Sequence, residues 1–192
     1  MDGKGTIIYF ATYKSPKARW TKFKKSEIIK EYFSDMNVIK FTQTLDTEKD
    51  IEKLTEIISE VDVNSLYLIS SSLGIIPALY CYYKYDRPLV AINSNYFPAM
   101  TMKDVLTETE LEENSKFKTE IKNAKESRTS NNSKISVFIS LDDKKIDDFQ
   151  RSKFNEIFKD DIDQVNYART GGHKYEIISE KLADIRLALT GE

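Results

Sequence analysis

Three side chains able to relay a proton stand in the order serine, carboxylate, imidazole along this chain. Ser72 closes the apolar run Leu66-Tyr67-Leu68-Ile69 within Ser70-Ser71-Ser72-Leu73-Gly74, the acids Asp142 and Asp143 follow a later apolar run, and His173 ends Thr170-Gly171-Gly172-His173. A serine hydroxyl is a poor nucleophile until a neighbouring base takes its proton, and imidazole suits that task near neutral pH. The chain holds one histidine, and so one candidate base of this type. Asp142 or Asp143 would fix the imidazole tautomer and stabilise the imidazolium, which makes the chemistry nucleophilic acyl transfer at a carbonyl. Each residue also has a plainer use: a serine between strand and helix is a common N-cap, acids after a strand build turns and cap the next helix, and most loop histidines are surface residues.

The elements that must carry these residues alternate. Thr6–Phe10 is a short run of β-formers and reads as a buried first strand. A loop through Ser15-Pro16 leads to a helical pattern over residues 25–33, a strand at Val38–Phe41, and an amphipathic helix from Asp46 to Glu60 with acids near its start. Leu66–Ile69 is the next strand, Leu73–Tyr85 the helix behind it with Pro77 tolerated in its first turn, and Pro88–Ile92 a fourth strand. The pattern resumes at Ile135–Ile139, with a helix from about Asp147 to Phe158, a strand near Val165–Ala168, and a closing helix striped by Tyr175, Ile178, Leu182, Ile185 and Leu189. Strands alternating with helices imply a mostly parallel sheet with right-handed crossovers, a three-layer α/β sandwich. Residues 107–133 interrupt the alternation with Glu, Lys, Ser, Thr and Asn. They read as a marginal surface helix and a flexible stretch from Ser127 to Ser133, a candidate lid.

At 192 residues the chain supports one sizeable core, and residues 1–192 read as a single domain. A net charge of -2 argues against general nucleic-acid binding. No N-terminal basic segment precedes an apolar run, and no stretch nears the roughly 18 apolar residues of a membrane span, so a cytoplasmic protein without a membrane partner is expected. Cys81, the single cysteine, falls among Leu79, Tyr80 and Tyr82 and reads as an apolar filler. No metal site is expected from one histidine and one cysteine, and the absence of a glycine-rich phosphate loop argues against a nucleotide cofactor. No cofactor is needed for the serine chemistry.

A nucleophilic serine of this kind sits at a strained position on a sharp strand-to-helix turn, with small residues two before and two after it. Ser70-x-Ser72-x-Gly74 keeps the glycine after and places serine before. The oxyanion would be held by the backbone N–H of Leu73 and by one from the loop after the first strand, near Thr12 or Tyr13. Tyr96, Phe97 and Met100 follow the fourth strand and are candidates for an acyl pocket or for packing under residues 107–133. Lys14, Lys17, Arg19, Lys22, Lys24 and Lys25 surround Tyr13, Trp20 and Phe23, a pattern that reads first as a solvated loop and second as an anion-favouring rim.

The whole chain resembles the small bacterial esterases of the YqiA type. Tyr9-Phe10-Ala11-Thr12 with Ser15-Pro16 stands where that family has Tyr-Leu-His-Gly and a Ser-Ser-Pro loop, and Ser70-Ser71-Ser72-Leu73-Gly74 stands for Gly-Ser-Ser-Leu-Gly. Ile92-Asn93 with Pro98 resembles Asn-Pro-x-x-x-Pro, Asp143–Asp147 resembles Asp-Glu-Val-Leu-Asp, and Gly171–Tyr175 resembles Gly-Gly-x-His followed by an aromatic. The resemblance implies an α/β-hydrolase-like fold with little or no cap, selects Asp143 over Asp142, and implies a serine hydrolase cleaving small acyl esters through Ser72, His173 and Asp143. The departures, Ala11-Thr12 for His-Gly, Ser70 for glycine, Ile75 for the second glycine after the elbow and Asp142 for the glycine before the acid, add bulk beside the site. They sustain a competing reading as an interaction protein of the same fold without turnover. A third reading uses the Ser70-Ser71-Ser72 turn as an anion nest and leaves His173 without a role.

Overall fold

The computed structural model describes residues 5–11, 25–168 and 176–191. Six parallel strands form one sheet in the order β2-β1-β3-β4-β5-β6: β1 (Thr6–Ala11), β2 (Asn37–Thr42), β3 (Leu66–Ser71), β4 (Leu89–Ile92), β5 (Ile135–Ser140) and β6 (Ile162–Ala168). Helices α1 (Lys25–Tyr32), α2 (Thr47–Ser59), α3 (Ile75–Tyr85), α4 (Pro98–Thr101), α5 (Glu108–Ser127), α6 (Asp148–Ile157) and α7 (Glu176–Thr190) connect and cover it. The central strands β1, β3, β4 and β5 carry almost unbroken apolar runs because both of their faces are covered. Two cores result. One buries Ile8, Phe10, Leu68 and Ala91 with residues of α2, α3, α5 and α6, and the other buries Ile7, Tyr9, Ile69 and Val90 with Ile29 and Phe33 beneath α1 and Leu182, Ile185 and Leu189 of α7.

The chain runs from β1 outward to β2 on one side, then returns across β1 to β3 and continues outward on the other. The carboxyl ends of β1 and β3 therefore flank the point where strand order reverses, the place at which open parallel sheets leave a crevice. Ser72 follows the last residue of β3 and lies at that point.

The structure departs from the sequence reading over residues 107–133. They form the crossover from β4 to β5: a 20-residue helix with a complete capping box between Thr107 and Glu110, laid on α3 through buried Phe117, Ile121 and Ala124. Asn114, also buried on α5, donates to Glu110 O at 2.7 Å, so a polar residue occupies what the apolar stripe requires. The stretch after α5 is tied to Asp86, at the far end of α3. Arg128 pairs with that carboxylate, Ser130 donates to it at 2.6 Å, and Ser133 donates to the Asp86 carbonyl at 2.6 Å. These contacts hold the segment against α3 and the amino ends of the strands, away from the crevice that a lid would cover.

Gly74 fixes how closely the turn after β3 approaches β1. A Cβ there would lie 2.3 Å from Phe10 O and 2.8 Å from Phe10 C, both backbone atoms of a central strand. Gly74→Ala is expected to destabilise the fold by about 2–4 kcal/mol, since the strand or the turn must move to admit one methyl group. Urea unfolding of the two proteins measures it, and an unchanged midpoint would show that the turn yields freely.

Candidate functional site

β3 ends in extended backbone, and the chain reverses through a single turn of 3-10 helix, Ser72–Gly74, into α3. Ser72 has φ +52°, the left-handed region that a residue with a side chain enters only where its surroundings hold it there. The holding contacts are visible on two sides. Gly74 allows the turn to touch the backbone of Phe10 and Ala11, and Asn95 donates its backbone N–H to Ser72 O at 3.0 Å. Neither the turn nor α3 begins with a side-chain cap, so Ser72 is not placed there as a helix N-cap.

The serines around Ser72 are accommodated individually. Ser71 shares a hydrogen bond of 2.9 Å with the buried hydroxyl of Tyr9, whose pKa burial pushes up to about 12. Ser70, fully buried, lies 3.4 Å from Val90 O, to which its hydroxyl donates. The hydroxyl that stands in place of a glycine hydrogen is thus absorbed by the neighbouring strand. Ile75 likewise turns into the core under α3.

The acid side of the site is built from the end of β5. Asp143 is 4% exposed whereas Asp142 is exposed, so of the two carboxylates only Asp143 belongs to the interior. Its backbone N–H donates to Ser140 O at 3.2 Å and its Oδ1 accepts from Lys145 N at 2.9 Å, which closes the turn. Arg151 of α6 clamps the same turn, donating through Nη2 to both Ser140 O and Asp143 O at 2.9 Å and through Nη1 to Asp148 at 2.8 Å. Capping of α6 falls to Asp147, which accepts from Gln150 N at 2.9 Å and leaves Asp143 with no capping task. Asn93, itself at φ +44°, exchanges two bonds with Ser140, accepting from its N–H at 2.8 Å and donating to its Oγ at 3.0 Å. The ends of β4 and β5 are locked together beside the turn. Arg151 does not belong to the residues singled out in the sequence, and Asn93 enters there only through the Asn-Pro-x-x-x-Pro resemblance, although an asparagine directly after a strand is a recognisable left-handed turn signal.

His173, Thr12 and Tyr13 lie outside the described residues, as do Lys14 to Lys24 of the basic cluster. Topology bears on where their segments start. Residues 169–175 follow β6, which pairs with β5 so that Ala168 lies opposite Ser140, and residues 12–24 follow β1, the immediate neighbour of β3. Leu73 is fully buried in the turn after Ser72. Of the pocket candidates, Tyr96 meets Phe154 and Phe158 of α6 edge-on, with ring centres 6.2 and 5.2 Å away, and Phe97 packs against the same core, while Met100 is half exposed. Tyr96 therefore packs between α5 and α6. A narrow cleft beside this loop, lined by Asn93, Ser94, Ile139, Ile146, Arg151 and Phe154, separates the end of β4 from α6.

Cys81 is buried, and burial pushes its thiol pKa up, as befits an apolar filler. Among the described residues no group of three or more His, Cys, Asp or Glu is placed to hold a metal ion, and no helix is long and apolar enough to cross a membrane.

Two lysines near the site are desolvated. Burial lowers Lys25 to about 8 against the attraction of Asp143, and burial alone lowers Lys118 to about 8. In each case the folded chain holds its proton less tightly than the unfolded chain, whose lysines titrate near 10.4. The penalty is therefore fully present below pH 8 and is relieved as the pH rises toward 10.5. Thermal unfolding at pH 7.5 and 9.5 should show Lys118→Met gaining about 2–4 °C on the wild type at the lower pH and losing most of that advantage at the higher one. A constant difference would place the Lys118 ammonium in water.

Solved structures that match the chain share its fold at low identity. The capsule O-acetyltransferase of Neisseria meningitidis serogroup A superposes with a TM-score of 0.66 at 17% identity, covering 97% of this chain and 87% of that one. An esterase of Pyrococcus furiosus gives 0.63 at 16%, covering 97% and 82%. A structure described as a putative hydrolase from Agrobacterium vitis gives 0.63 at 13%, covering 96% and 88%. The fold is that of the α/β-hydrolases. No curated protein matches the sequence. A model of the uncharacterised protein family UPF0227 matches residues 6–189.

Proposed function

The chain belongs to the UPF0227 family, the family of the YqiA-type proteins, and we propose that it is a serine hydrolase cleaving small acyl esters or thioesters through an acyl-enzyme intermediate. The observation that carries this reading is the left-handed Ser72 in a turn between β3 and α3 at the switch point of the sheet, held against β1 by Gly74. A left-handed serine on a sharp strand-to-helix turn at the carboxyl edge of a parallel sheet is the backbone arrangement that a nucleophilic serine uses.

In the mechanism, Ser72 Oγ attacks the ester carbonyl while His173 takes its proton, and Asp143 orients the imidazole and stabilises its charged form. His173 then gives the proton to the leaving alcohol or thiol. Water, deprotonated by the same imidazole, attacks the acyl-serine, and collapse of the second tetrahedral intermediate releases the acid and restores the Ser72 hydroxyl. The backbone N–H groups of Leu73 and of Thr12 or Tyr13 hold the oxyanion in both steps. Support comes from strand order: β1, β3, β5 and β6 deliver the oxyanion loop, nucleophile, acid and base segments from carboxyl ends on the same edge of the sheet. Arg151 and the Asn93–Ser140 pair make the acid's turn rigid, which a positioning carboxylate requires. Of the loop after β4, Met100 is the exposed residue open to an acyl group, while Tyr96 and Phe97 pack into the core behind it. The substrate is a small molecule, and the chemistry needs no metal or cofactor.

A second reading keeps the same acyl-enzyme and changes the acceptor. The similarity in fold to an O-acetyltransferase favours an acceptor hydroxyl in place of water as the second nucleophile, since the two outcomes differ only in what reaches the acyl-serine.

A fluorophosphonate probe is expected to label the wild type at Ser72 and to leave Ser72→Ala unlabelled with its thermal midpoint unchanged. Turnover of 4-nitrophenyl acetate and butyrate should fall about a thousandfold or more in Ser72→Ala and in His173→Ala. A wild type that neither reacts with the probe nor cleaves either ester is an interaction protein instead.

A further inference from the structure

Two ammonium groups flank one aromatic ring beside the candidate site. Lys118 Nζ of α5 lies 4.3 Å from the ring centre of Tyr96 and 5.4 Å from that of Phe97, and Lys153 Nζ of α6 lies 5.5 Å from Phe97 and 5.6 Å from Phe149. Phe97 is two residues beyond Asn95, whose N–H holds the Ser72 carbonyl, and Thr101 of α4 ties the loop by donating to Asn95 Oδ1 at 2.9 Å. The two cations therefore pack on the loop whose backbone also holds the Ser72 carbonyl.

Neither lysine has an acidic partner among the described residues. Of the carboxylates along α6, Asp148 is taken by Arg151, and Glu156, one turn beyond Lys153, forms no ion pair with it. Elsewhere the molecule does pair its enclosed cations: Arg128 with Asp86 and Asp161, and Lys125 with Asp161. Lys118 is half-buried, with its ammonium over the rings of the loop after β4. An enclosed ammonium with only ring faces for company gains more from an arriving anion than a solvated one does, because less water must be displaced and the surroundings screen less. The rim around the pair is apolar, with Phe149 59% and Met100 50% exposed. That combination fits a ligand bearing both an apolar portion and a negative charge.

We infer that Lys118 and Lys153 form an anion-recognition element at the rim of the Ser72 site, so that the ester this protein takes carries a carboxylate or phosphate. The inference rests on the hydrolase reading for the word ester and on the lysine pair alone for the anion. The charge belongs either to the acyl half or to the leaving half, and the two are separable by substrate.

Turnover of 4-nitrophenyl acetate is compared with that of 4-nitrophenyl hemisuccinate, charged on the acyl side, and of 4-acetoxybenzoate, charged on the leaving side. One charged ester is expected to exceed its neutral reference by about tenfold or more in kcat/KM, mainly through KM. Phenyl acetate serves as the neutral reference for 4-acetoxybenzoate. In Lys118→Met/Lys153→Met the ratio should fall to within about twofold of unity, and 0.5 M NaCl should reduce it in the wild type. Met retains the stem that packs on the rings, and Lys153→Glu, at an exposed position, provides a variant whose folding is not in question. It should invert the preference. Pyrophosphate binding to Ser72→Ala, followed by calorimetry, reads the anion element without chemistry: affinity should drop at least tenfold when both lysines become Met. Pyrophosphate bound with lysine dependence but no ester cleaved removes the hydrolase reading and keeps the anion element. Equal pyrophosphate affinity with and without the lysines, or an unchanged ester ratio, overturns the anion element and leaves the hydrolase reading intact.

Discussion

The close approach of the turn after β3 to the end of β1 is the constraint on which the site depends. A side chain at Gly74 would collide with the Phe10 carbonyl, so the turn can sit where it does only with a hydrogen at that position. Because the turn is that tight, Ser72 has to adopt φ +52° to pass from extended strand to helix. A left-handed serine costs of order 1–3 kcal/mol, and the structure around it supplies the compensation. The Ser72 carbonyl is bonded by Asn95, Tyr9 secures Ser71, and α3 behind the turn is buried along almost its whole length from Ile75 to Tyr83. A helix buried all round cannot shift to relax the turn without opening the core.

The same logic extends sideways along the sheet. Asn93 repeats the left-handed exit at the end of β4 and bonds both the backbone and the side chain of Ser140 at the end of β5. Arg151 reaches back from α6 to the next turn and holds two of its carbonyls. One strand, β4, lies between those that lead to Ser72 and Asp143, yet the two residues are joined by short contacts through the loop at 93–95 and the end of β5. Positions linked by strand ends and main-chain bonds keep their spacing better than positions on free loops, which is what proton relay between separate residues requires.

Much of this arrangement was legible in the sequence, and the reasons for the exceptions are physical. Buried parallel strands write themselves as apolar runs, so Leu66–Ile69 and Ile135–Ile139 fall within their observed strands, and Ser72 falls on the turn that the Ser-x-Ser-x-Gly spacing suggests. β6 is longer than its apolar pattern suggests, because its starting residues Ile162 to Gln164 lie on an edge strand and have polar positions that resemble a loop. α5 looks marginal in sequence because its buried stripe is thin and includes Asn114, a polar residue whose partner is a backbone carbonyl one turn back. The capping box at Thr107 and Glu110 was the available signal for its start. Asp143 and Asp142 differ only in burial, which no spacing rule reveals, and Arg151 acts on backbone carbonyls, which leave no mark in a sequence.

Opposite ends of the sheet carry different burdens. At the amino ends, Arg128 joins Asp86 and Asp161, Tyr83 donates to Asp161 at 2.7 Å, and Tyr82 donates to Ser133 O at 2.9 Å, a network of charges largely removed from water. Burial opposes ionisation of Asp86, yet hydrogen bonds from Arg128, Ser130 and Ser133 hold its carboxyl down at about 2. Removing one member of such a network leaves its partners charged and enclosed, so the network resists piecemeal loosening. The carboxyl ends carry strain without such a network. Gln43 after β2, Ser94 after β4 and Asn155 on α6 bury side-chain polar atoms with no hydrogen-bond partner among the described residues, and Ser72 and Asn93 hold left-handed backbone; at the amino ends Arg128 Nε and the left-handed Asp86 are their counterparts. Unsatisfied polar atoms and strained residues each lower stability, and they are tolerable because the two cores over-determine the fold. A site assembled from such groups is already shaped before a ligand arrives, and the cost of shaping it was met when the chain folded.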